Sequence, residues 1–73
     1  MPLPLPGDVL IRGIATSRFE LVDAVTLAFI EGPFDEYSAA VAAARLRNAR
    51  AIWQQNVDAR GRPLGEPFKL PLG

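Results

Sequence analysis

Neither cysteine nor histidine occurs in this chain, so a fold of only 73 residues has to be held together by packing or by a partner. Domains this small bury only about 60% of the surface they expose on unfolding. Apolar burial set against chain entropy then comes out near zero. Disulfides and zinc sites usually close that gap, and both need residue types missing here. The length allows a single hydrophobic core. One small domain is therefore expected at residues 8–73, preceded by an extended Pro/Leu arm at residues 1–7. In the arm Pro2, Pro4 and Pro6 fix φ and favour polyproline-like backbone. The arm is expected to be a frayed terminus, the alternative being that its Leu3 and Leu5 dock on a neighbouring surface.

The same gaps in composition restrict chemistry. Without His or Cys there is no Ser–His pair, no Cys–His pair and no thiolate nucleophile. Ser17 and Ser38 are the only serines, and neither belongs to a Ser-x-x-Lys arrangement. The six glycines are scattered, so no phosphate-binding loop can be read. Glu31, Asp35 and Glu36 form the only dense acidic group, and their position before a helix accounts for them better than a catalytic pair does. The chain is expected to be no enzyme, with no cofactor and no metal site.

Eight basic and eight acidic residues cancel, which gives no electrostatic pull towards nucleic acid or an anionic membrane. Residues 1–36 nevertheless hold six acids against two bases, and residues 37–73 hold two acids against six bases. The start lacks the basic region of a secretory signal, and prolines interrupt its apolar stretch. No apolar run approaches the roughly 20 residues needed to span a bilayer. A cytoplasmic location is the default expectation.

Local pattern places the elements. Val9-Leu10-Ile11 is an apolar run able to open a strand, weakened by Gly13. Residues 19–30 allow two readings. As a helix, Ser17 and Glu20 form a capping box, with Leu21, Val22, Ala24, Val25, Ala28 and Phe29 on one face. As a hairpin, Phe19-Leu21 and Leu27-Phe29 pair across a turn at 23–26, closed by the Asp23 side chain. Asp35 to about Ala49 reads as a helix, with Gly32-Pro33 as its boundary and Asp35 as its N-cap. Its alanine-rich interior has the strongest helix propensity in the chain. Ala51–Val57 reads as a strand with Trp53, Gln55 and Val57 on one face. Asp58-Ala59-Arg60-Gly61 reads as a turn with positive φ at Gly61. Phe68-Lys69-Leu70 suits a short edge strand.

The segments Phe19-Glu20-Leu21-Val22-Asp23-Ala24, Gly32-Pro33-Phe34, the alanine helix, Ile52-Trp53-Gln54-Gln55 and Asp58 to Gly65 resemble short bacterial domains of unknown function with a ββαβ layout. The resemblance covers roughly two-thirds of the chain and implies a hairpin at 19–31. It implies no activity. The sequence departs from it at Leu27, where glycine would make the turn easier. The expected fold is α+β: a small antiparallel sheet of three or four strands in ββαβ order, with one alanine-rich helix on one face.

Three features suit binding. Trp53 is expected in the core on account of its size. Exposed, it would serve with Arg45, Arg47, Arg50, Arg60 and Arg62 in a small nucleic-acid-binding protein, provided the turn at 58–61 folds beside the helix end. The helix carries two apolar stripes, Ala39/Ala42/Ala43/Leu46/Ala49 and Tyr37/Val41/Ala44. A single small sheet can cover one of them. The sequence therefore favours a non-catalytic interaction module, homodimeric or bound to another protein, with Tyr37, Val41 and Ala44 as the candidate interface.

Overall fold

The computed structural model describes residues 3–15 and 17–71, so Met1 and Pro2 of the expected arm lie outside the described residues. Six elements follow one another: β1 (Val9–Ala15), β2 (Arg18–Asp23), β3 (Phe29–Phe34), α1 (Tyr37–Leu46), β4 (Ile52–Asn56) and β5 (Phe68–Lys69). The strands form one sheet in the order β3-β2-β1-β4-β5.

The α+β class is as expected, but the sheet is larger and mixed. It has five strands, and β1 pairs β4 in parallel, Val9 against Ile52 through Gly13 against Asn56. The expected ββαβ run is present as β2-β3-α1-β4, extended by one strand at each end. The parallel pairing follows from that extension. A strand that precedes the hairpin can meet β4 only after β2, β3 and α1 have carried the chain back, and parallel pairs need such a long crossover.

Residues 18–34 are the hairpin. Asp23 N–H donates to the Ala28 carbonyl at 2.9 Å, leaving a four-residue loop. The Asp23 carboxylate Oδ1 accepts from both the Val25 and Thr26 amides at 2.9 Å, which closes the loop as an Asx turn. These two bonds hold the Asp23 carboxyl below the usual aspartate range. Leu27 sits at φ 65°, the position where glycine would be easier.

The boundaries of α1 differ from the expectation. Gly32-Pro33 lies inside β3, an edge strand where a missing N–H is tolerated. Glu36 rather than Asp35 occupies the N-cap, and it makes no side-chain capping bond. The helix ends at Leu46 instead of near Ala49. Arg47 and Asn48 amides donate back to Ala44 and Arg45, and Asn48 turns left-handed at φ 55°. Asparagine tolerates that conformation, so it stops the helix where alanine would have let it run on.

Both sheet faces are apolar. Val9, Ile11, Leu21 and Ile52 meet Ala40 and Ala44 of α1 on one side. Leu10, Val22, Ala51 and Trp53 form the core of the other. Ile11, Leu21, Ile52 and Val22 are fully buried, each contributing about 1.5–3 kcal/mol. On the helix-bearing face Gly13 leaves room for its neighbours. A Cβ there would lie 2.8 Å from Asn56 Oδ1 and 3.4 Å from the Phe19 ring. Among the described residues no helix covers the second face. There Asp8 Oδ2 accepts from Trp53 Nε1 at 2.9 Å and from the Leu5 amide at 3.0 Å. Gln55 Nε2 reaches the Gly65 carbonyl at 2.7 Å, tying the 58–67 segment to the same side.

The edges of the sheet are poor templates for another strand. β5 has two residues, and the β2–β3 pairing shifts register twice around Leu21. Short, irregular or proline-bearing edges discourage pairing with a further chain.

Candidate functional site

Neither of the two apolar stripes lies wholly on the sheet side. Ala40 and Ala44 point into the sheet and are fully buried, while Ala39, Ala42 and Leu46 face outward. Of the Ala39/Ala42/Ala43/Leu46/Ala49 stripe, Ala39, Ala42 and Leu46 thus face solvent while Ala43 and Ala49 pack against the core, and the Tyr37/Val41/Ala44 stripe borders the core as well. Within the expected interface Ala44 is sealed inside the protomer, whereas Tyr37 and Val41 are half-buried. The Tyr37 ring meets Phe19 edge-on, with centroids 5.7 Å apart and planes at 69°. Such a pair adds about 0.5–1.5 kcal/mol beyond its buried area. Burial pushes the Tyr37 phenol pKa up.

The exposed parts of Tyr37 and Val41 line a shallow groove of ≈ 640 Å³ with Ser38, Ala42, Arg45 and Leu46. All six residues belong to one helix, so this is an open flank between side-chain ridges and encloses no small molecule. Leu46 is 85% exposed. The flank looks towards β1, because Tyr37 packs on Phe19 and the Phe19 ring lies over Gly13. Beyond β1, the β4–β5 part of this face projects past the helix, which packs mainly on β2, β3 and β1. Phe68 stands there opposite Gln54, on the helix side of the sheet, and is 53% exposed.

The five arginines do not meet. Arg45, Arg47 and Arg50 lie at the end of α1 that leads into β4, and Arg60 and Arg62 lie in the turn after it. β4 separates the two groups by roughly 17 Å of strand. Arg62 also stands 3.7 Å from Asp58, whose Oδ1 accepts from the Arg60 and Arg62 amides. Gly61 closes this turn at φ 83°, as its position in the sequence predicts. Trp53 is 2% exposed and donates its indole N–H to Asp8, so it offers no face to a base.

A smaller hollow of ≈ 290 Å³ opens at the C-terminal ends of β1 and β4, lined by Gly13, Phe19, Asn56 and apolar neighbours. Among the described residues every one that lines it is neutral. Glu31, Asp35 and Glu36 are all exposed, Glu31 on the edge strand and the others before the helix. Among the described residues no three potential metal ligands gather, and no helix is long and apolar enough to cross a membrane.

Sequence reasoning missed Ala42 and Leu46 as flank residues. Besides the Tyr37 phenol, the polar side chains within the helix are Ser38 and Arg45, seven residues apart and therefore on one side of it. That pair marks the outward direction and is the signal that could have found the flank. The chain matches no known protein family, and no characterised protein or solved structure resembles it closely enough to match.

Proposed function

We propose that this protein is a non-catalytic self-association module that pairs through the exposed flank of α1. The observation carrying the reading is Leu46, a large aliphatic side chain left 85% exposed beside Val41, Ala42 and Tyr37 on the best-formed element of the fold. A chain without covalent or metal staples gains from covering such a surface, and closed two-fold pairing is the commonest way to do so. Small residues on the flank allow close approach of a second helix. The blunted sheet edges favour pairing through a face over pairing by strand addition. Burial of Trp53 and the separation of the arginines weigh against the nucleic-acid alternative.

Residue-resolved amide shifts across a dilution series test this. Concentration-dependent shifts should centre on Tyr37, Ser38, Val41, Ala42, Arg45 and Leu46, and Ala42→Glu should abolish them without altering the fold. Shifts confined instead to the hairpin tip at Val25 and Leu27, also exposed apolar residues, would move the interface there and overturn the reading.

A further inference from the structure

The charges around α1 fix how a second copy must lie on it. Asp35 and Glu36 stand immediately before the helix, while Arg45, Arg47 and Arg50 stand at and beyond its C-terminal end. Among the described residues none of these five forms an ion pair within the protomer, where the acidic and basic partners are Arg12 and Arg18 with Glu20, and Arg62 with Asp58. Each end is stabilised by the helix dipole, yet each remains free to meet charge from outside.

Resting on the self-association proposed above, we infer that two copies pack their α1 flanks antiparallel about a two-fold axis passing between Val41 and Ala42. This arrangement is self-complementary. Ser38, the smallest polar residue of the flank, faces Arg45 of the second copy. One turn further on, the guanidinium of Arg45 reaches the second copy's Asp35 and Glu36. Tyr37 and Leu46 meet at both ends, and Val41 packs against Ala42 at the centre. Parallel pairing would stack arginine on arginine and acid on acid, so charge selects the antiparallel form. The helix dipoles oppose in the same sense. A ten-residue helix is about 15 Å long, and its flank covers well under the roughly 800 Å² per partner of a standard interface. The pairing is accordingly weak, concentration-dependent and weakened by salt.

The natural chain has no cysteine, so single-cysteine variants report the geometry directly. Disulfides require Cα atoms within about 7 Å. At the axis, Ala42→Cys should oxidise to a covalent dimer. Ser38→Cys lies about 10 Å along the axis from its own copy in the antiparallel pair and should remain monomeric alone. Mixed with Arg45→Cys, it should give a disulfide heterodimer. Self-linking of Ser38→Cys as efficiently as Ala42→Cys would overturn the antiparallel geometry while leaving self-association through the flank intact. A wild-type dimer with no link at any of these positions would place the interface elsewhere and overturn both.

Discussion

Replacing Trp53 with phenylalanine removes one ring and one N–H from the apolar cluster on the sheet face opposite the helix. The indole is 2% exposed, and its Nε1 donates to Asp8, itself 3% exposed, at 2.9 Å. The lost ring area and the space left behind cost about 1–2 kcal/mol. A hydrogen bond to a charged group contributes about 1.5–3 kcal/mol, and Asp8 Oδ2 would keep only the Leu5 amide. Asp8 Oδ1 has no partner among the described residues, so this carboxylate has little reserve. The sum is roughly 3–5 kcal/mol, against a total of about 4–11 kcal/mol for a chain of this length. Urea denaturation followed by far-ultraviolet circular dichroism suits the measurement, since Trp53 is the only fluorescent indole. A double-mutant cycle with Asp8→Ala separates ring loss from hydrogen-bond loss. The expected coupling is about 1.5–3 kcal/mol, and costs that add within about 0.5 kcal/mol would refute a bond of this kind.

Two further outcomes concern the hairpin. Leu27→Gly should raise stability by about 0.5–1 kcal/mol, because relief of the left-handed conformation exceeds the added freedom of the unfolded chain; an unchanged or lower urea midpoint would contradict this. The depressed Asp23 carboxyl gives stability that is present above the ordinary aspartate value of about 4 and is lost as pH falls through the lower folded value. The Val25 and Thr26 amide shifts should therefore titrate with a midpoint below that value, and a midpoint at or above it would contradict the Asx turn.

Much of the fold was legible because local chemistry and tertiary structure agree. Asp23 is a turn former and closes the hairpin with its side chain, which decides between the two readings of residues 19–30. Trp53 is large and lies in the core. The parallel β1–β4 pair was not legible, since Val9-Leu10-Ile11 shows a strand but carries no information about its partner. The helix faces were misread for a specific reason. Alanine at 39, 40, 42, 43 and 44 surrounds the axis, so apolar periodicity has no contrast, and β3 delivers the chain so that Ala40 and Ala44 meet Leu21 and Ile11. Of the candidate interface, Tyr37 and Val41 reach the surface from the stripe that was read correctly as apolar. Leu46 escaped notice because it had been assigned to the sheet side. The arginine patch depended on a fold-back of the 58–61 turn, and the direction of β4 carries that turn to the opposite end.

Self-association is tested most directly by sedimentation equilibrium of the unmodified chain over a wide range of concentration. The protomer mass is 7.9 kDa. A weight-average mass that rises from this value towards twice it, and falls back on addition of salt, is the expected result. A mass that stays at 7.9 kDa up to the highest attainable concentration would contradict it, and would leave Leu46 and its neighbours as apolar surface in water.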